Sequence, residues 1–152
     1  MKLMRLIVSL LIMGSTPLLA KEEMPQATKR SAKAWGIQTN IEVSSCDPYK
    51  IRSSEAIRKF ALDLCTQLKI KSHTQPIVTH YDDDSDDEER GYAMVHLIGK
   101  ALISAHFVNK TNALHLIVLS DKPYSPKAVG EFAKRYFGAR DFELEVCARR
   151  SI

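Results

Sequence analysis

Three histidines, His96, His106 and His115, stand one on each of three successive apolar runs. Imidazoles on adjacent strands can converge on a metal ion when strand register puts them on one face. Residues 82–89 are a second chemical candidate, with seven carboxylates (Asp82, Asp83, Asp84, Asp86, Asp87, Glu88 and Glu89) in eight positions. A calcium loop needs glycine at its sixth position and glutamate at its twelfth. Asp87 stands at the sixth and no glutamate follows at the twelfth, so the run reads as a solvated loop of mutually repelling charges. Cys46, Cys65 and Cys147 form no C-x-x-C and have no close Cys/His pair, which excludes the zinc spacings. An oxidising compartment would permit one disulfide among them and leave one thiol over. The simpler expectation is that Cys65 on a helix core face and Cys147 in a strand serve as small hydrophobes.

The elements that must position these groups follow from periodicity. Gly36 to Val43 alternates Ile37, Thr39, Ile41 and Val43 with polar residues, which predicts a strand. Ser44 to Tyr49, containing Asp47-Pro48, predicts a turn. Ser53 is a fitting N-cap for a helix whose buried stripe is Ile57, Phe60, Ala61, Leu64, Cys65 and Leu68. Pro76 to His80 reads as a strand. Gly91 to Ile98, Ala101 to Val108 and Ala113 to Ser120 read as a meander joined by Gly99-Lys100 and by residues 109–112. Ser125 and Pro126 open a second helix that buries Ala128, Val129, Phe132, Ala133, Tyr136 and Phe137 and stops at Gly138. Phe142 to Ala148 alternates as a last strand. The order β-α-β-β-β-β-α-β implies an α+β two-layer sandwich, a largely antiparallel sheet with two helices on one face.

At 152 residues the chain has room for one such domain. Its first twenty residues stand apart. Lys2 and Arg5 precede an apolar run from Leu6 to Met13, too short to span a bilayer, and Ala20 offers a small residue before Lys21. This predicts a signal peptide over 1–20, a flexible tail over 21–34, a domain over 35–152, and an exported protein, periplasmic or secreted. Without Lys2 and Arg5, 20 basic residues face 18 acidic ones. A net charge so close to zero argues against nucleic-acid binding. No membrane association is expected once the leader is removed.

Across roughly Trp35 to Arg149 the chain is similar to the small prokaryotic S-adenosylmethionine (SAM) decarboxylase family. Ser45-Cys46-Asp47 resembles the family's Gly-Cys-Asp turn. Lys100-Ala101-Leu102-Ile103-Ser104-Ala105-His106 lies where the family has Glu-Ser-His-Ile-Ser-Ile-His. Leu119-Ser120-Asp121-Lys122 stands where it has Phe-Ser-Cys-Lys, and Tyr136-Phe137-Gly138-Ala139 matches its final helix. The family's serine becomes a pyruvoyl group that forms a Schiff base with the substrate and acts as its electron sink. Ala101 occupies that serine's place and has no oxygen, so neither chain cleavage nor pyruvoyl formation is possible there. Ser104 is near in sequence but stands in the wrong register. Asp121 replaces the family's proton-donating cysteine, a role an aspartate fills only when burial raises its pKa. Lys100 replaces a glutamate, and of the core set only His106 persists.

The resemblance leaves two functions open. Small phage-type SAM-degrading enzymes resemble this fold, lack the pyruvoyl serine and assemble as trimers. In their reaction the substrate's carboxylate attacks its own γ-carbon, releasing methylthioadenosine and forming homoserine lactone. For such a lyase, His106 and Asp121 are the catalytic candidates, and Glu88, Glu89 and Tyr92 the substrate-binding ones. The alternative is a non-catalytic protein that binds SAM or a related nucleoside, or a degenerate structural relative, which export favours because SAM is made in the cytosol. Either implies no cofactor, no metal and a homo-oligomer, dimer or trimer.

Overall fold

The computed structural model describes residues 34–81 and 90–150. The expected leader, the tail up to residue 33 and the acidic run 82–89, with Glu88 and Glu89, lie outside the described residues. The elements are β1 (Ala34–Ser44), α1 (Pro48–Ile51), α2 (Ser54–Gln67), β2 (Ile77–Tyr81), β3 (Gly91–Ile98), β4 (Ala101–Val108), β5 (Ala113–Ser120), α3 (Pro126–Tyr136) and β6 (Asp141–Arg150). The strands form one sheet in the order β2-β3-β4-β5-β1-β6, and every pairing is antiparallel. The α+β sandwich and its helix-bearing face agree with the sequence reading.

Three details differ. Asp47-Pro48 opens a one-turn helix, not a plain turn: Asp47 caps it by accepting from the Tyr49 N–H at 2.9 Å, and proline suits the first turn. The helices therefore number three among the described residues, not two. Ala128, expected on the buried face of α3, is exposed, while Gly130 is buried there instead. A Cβ at Gly130 would collide with the Phe142 ring, so glycine is what lets α3 lie close against β6.

Cross-strand register decides what each sheet face carries. Met94 pairs with Ala105, His96 with Ile103 and Ile98 with Ala101, and these six are buried on the helix side. Ala93 with His106, Val95 with Ser104 and Leu97 with Leu102 point to the opposite, open side. Under the helices, Phe60 of α2 stacks on Phe132 at 5.7 Å and meets Phe137 at 4.8 Å, and Phe137 meets Phe107 of β4 at 5.5 Å. All of Phe60, Phe107 and Phe137 are fully buried. Burial of each contributes on the order of 2–3 kcal/mol.

The two ends of the sheet are built differently. At one end the turns are tied together through the backbone: the Cys46 N–H donates to the Asn112 carbonyl (2.8 Å), Asp47 N–H to Phe137 O (2.7 Å) and Arg140 N–H to Ser44 O (3.2 Å). The Arg52 guanidinium adds bonds to the Asn109 carbonyl and to Asn112 Oδ1. Ser45 in this turn has φ +57°, the left-handed region that glycine enters freely. The other end, where α2 finishes, β3 turns into β4 and β5 leaves for α3, holds a cavity.

Candidate functional site

The cavity has a volume of about 570 Å³, in the range of small-molecule sites. Three connections meet around it: the segment after α2 (Lys69, Ile70, Lys71, His73, Thr74), the β3–β4 hairpin (Gly99, Lys100) and the residues following β5 (Asp121, Lys122). Ile98, Ala101 and Ser120 are buried at its floor. Lys69, Lys71, Lys100, Asp121 and Lys122 are exposed around its rim.

Each connection has an identifiable support. The segment after α2 is pinned by His96, which is fully buried on β3. His96 Nε2 lies 2.9 Å from Ser72 Oγ and 3.0 Å from the Thr74 carbonyl, which can only accept, so Nε2 carries the proton. Nδ1 then faces the Cys65 thiol at 3.6 Å. Thr74 Oγ1 donates to the Leu97 carbonyl at 2.6 Å and closes the loop onto β3. The segment after β5 is held by Tyr124, whose hydroxyl donates to Val118 O (2.9 Å) and accepts from Thr39 Oγ1 (2.7 Å). Burial raises the Tyr124 pKa, with the Thr39 bond acting in the opposite sense. Ser120 Oγ accepts from the Lys122 N–H at 3.0 Å, tightening the turn under Asp121.

The structure separates the residues that the sequence offered as a site. Asp121 lines the cavity together with Lys100 and Ala101. It is exposed, so the burial that a general-acid role requires is absent. Tyr92 lies half-buried near the far end of β3, six residues from Ile98, or about 20 Å along the strand. Its ring meets His80 edge-on at 5.0 Å. His106 is exposed on the open face near the end of β4, with Tyr81 5.9 Å from its ring. The segment carrying Glu88 and Glu89 joins Tyr81 to Arg90, which both lie at the end opposite the cavity.

The three-histidine metal site does not form. His106 and His115 are cross-strand neighbours on the open face, but His96 points to the helix side, because its position in the register is of the other parity. Among the described residues no group of three or more His, Cys, Asp or Glu side chains is placed to hold a metal ion. The cysteines are all free. Cys46 and Cys65 are buried, and desolvation pushes each thiol up to about 11, which suits packing and not nucleophilic chemistry.

The family's sequence profile, that of S-adenosylmethionine decarboxylase, matches residues 37–150. The chain belongs to the S-adenosylmethionine decarboxylase family. Among solved structures, the adenosylmethionine decarboxylase from Aquifex aeolicus VF5 superposes with a TM-score of 0.63 at 16% identity. It covers 80% of this chain and 95% of that one, and at this identity it supports the fold alone. No curated protein matches the sequence.

Family membership sharpens the meaning of residue 101. The resemblance in sequence sets Ala101, 5% exposed on the cavity floor, against the serine from which a pyruvoyl group would be made. The Ala101 methyl group cannot attack a carbonyl or become a ketone, so the site does not fit the group. Ser104 cannot substitute, because it pairs with Val95 and points to the open face. Lys69, Lys71 and His73 are cavity residues that sequence reasoning missed, whereas Lys122 was legible only as a neighbour of Asp121. The available signal for the first three was their position in the connection between α2 and β2, which the fold brings to the same sheet end as the β3–β4 hairpin. Using it required knowing where α2 ends relative to that hairpin.

Proposed function

We propose that this chain is a ligand-binding member of the SAM decarboxylase family that neither processes itself nor decarboxylates. Its ligand, SAM or another nucleoside, occupies the cavity above Ala101. The observation that carries this reading is the alanine itself, set in the floor of a cavity of suitable size at the family's serine position. The floor residues Ile98 and Ala101 offer an apolar surface, and Ser120 and Asp121 offer polar partners for a ribose.

SAM cleavage to methylthioadenosine and homoserine lactone is the second reading. It is favoured by the fact that intramolecular attack needs nothing from position 101, while Asp121 leaves a carboxylate in the same cavity. Incubation of the purified chain with SAM, followed by chromatography, separates the two. Unchanged SAM with a rise in melting temperature supports the binding protein, and methylthioadenosine with the lactone supports the lyase. Decarboxylated SAM would contradict both.

The open face of the sheet supports a homo-oligomer. Ile77, Val95, Leu97 and Ile117 on it are 68%, 40%, 63% and 39% exposed, and helices cover only the other face. A second copy laid against this face would remove that apolar surface from water. Leu97→Lys is then expected to give a smaller species by light scattering with unchanged circular dichroism. A wild-type monomer at high concentration would sink the idea. The leader over 1–20 supports export, which fractionation of cells carrying the tagged chain tests. Recovery in the cytosol with the leader intact would contradict it. Among the described residues no helix is long and apolar enough to cross a membrane.

A further inference from the structure

We infer that the cavity selects its ligand by negative charge, and takes a phosphate-bearing nucleoside in preference to SAM. This rests on the reading of the cavity as the ligand site. Four lysines, Lys69, Lys71, Lys100 and Lys122, line it against a single carboxylate, Asp121. They come from three separate connections, so no one local charge run accounts for them. None of the four has a salt-bridge partner among the described residues. SAM carries a sulfonium and an ammonium against one carboxylate, a net positive charge that this rim repels. A nucleoside phosphate carries the opposite sign, and lysine binds phosphate as a point charge.

The end of α2 supplies a second, independent observation. Both long helices close with the same pair of backbone bonds. In α3 these are Gly138 N–H to Arg135 O and Ala139 N–H to Lys134 O, and in α2 they are Lys69 N–H to Thr66 O and Ile70 N–H to Cys65 O. The motif needs a left-handed residue, for which glycine is the usual choice. Gly138 has φ +59° and Lys69 has φ +55°. A strained residue held at a cavity rim points to a role for its side chain there. The adjoining segment is not left loose: Ser72 Oγ and the Thr74 carbonyl meet His96, while the side chains of Lys71 and His73 are exposed and line the cavity.

Calorimetric titration of the full chain with ADP, adenosine, SAM and pyrophosphate tests the inference. ADP is expected to bind at least about tenfold more tightly than adenosine or SAM, from exposed charges that each contribute a factor of about 1.5 to 5. The advantage should shrink between about 20 mM and about 300 mM salt. The double variant Lys100→Glu/Lys122→Glu should weaken ADP by about tenfold or more and leave adenosine within about twofold. Lys69→Gly should weaken ADP while raising the melting temperature, two opposite effects that a purely structural lysine would not produce. SAM binding as tightly as ADP would overturn the charge selection, and if adenosine also binds, the ligand site itself stands. Equal binding of ADP and pyrophosphate without adenosine would uphold charge selection and overturn the nucleoside. No binding by any of the four would overturn both.

Discussion

The two ends of the sheet are held by different means. The end bearing Ser45, Asn112 and Gly138 is locked by backbone bonds between its turns, and three buried phenylalanines lie beneath the helices. The cavity end is shaped by side chains, with His96 and Tyr124 each pinning one connection while four lysines face solvent without described carboxylate partners. At the first end backbone groups of neighbouring turns satisfy one another. Freedom to change chemistry lies at the second, where rim residues can be exchanged without disturbing a ladder or a core. Ala101 lies at that second end but not on its rim: it is buried and paired with Ile98 at the start of β4.

This contrast can be broken in order of expected effect. Phe137→Ala removes a ring in contact with Phe60, Phe107 and Tyr136 and should cost about 3–5 kcal/mol in denaturant unfolding. A loss under about 1 kcal/mol would show that the helices contribute little to the fold. Asp47→Ala should cost about 1 kcal/mol through the lost cap. Lys69→Gly, at the cavity end, should instead gain about 0.5–1 kcal/mol by relieving the left-handed lysine. A loss there would mean that the side chain supports the helix end. Lys100→Glu/Lys122→Glu should stay within about 0.5 kcal/mol of wild type, as expected for exposed positions away from a core.

A gradual effect of pH should accompany these. Burial raises Cys46 and Cys65 from 9.0 to about 11, so the folded state favours the protonated thiols. Their contribution is complete below about pH 9 and is lost as the pH rises toward about 11. Denaturation midpoints taken across that window should fall, and alkylation at neutral pH should reach the half-buried Cys147 first. Equal reactivity of all three thiols in the native protein would contradict the burial.

Much of the fold was legible because its signals are local. The meander strands of residues 91–120 follow from alternation, Ser53 and Ser125 from capping chemistry, and Gly138 from helix termination. Asp47-Pro48 misled because a cap and an N1 proline within four residues are also a turn signature. The open and covered faces could be sorted only once register was known. His96 shares a meander with His106 and His115 in sequence, yet the register points it the other way. The site was half legible: Ala101, Lys100 and Asp121 could be found by resemblance. Lys69 and Lys71 depend on where α2 ends in space. Tyr92 and His106 lie on the same two strands as the β3–β4 hairpin at the cavity, yet strand length carries them to the other end of the sheet.

The central claim is that this family member keeps the fold and the cavity but makes no pyruvoyl group. Intact-mass spectrometry of the purified chain, before and after treatment with a carbonyl-reactive hydrazine, tests it most directly. A single polypeptide continuous through Lys100-Ala101, with no added mass after the hydrazine, is the predicted result. Two fragments meeting between residues 100 and 101, the second carrying a hydrazine-reactive carbonyl at its start, would contradict it.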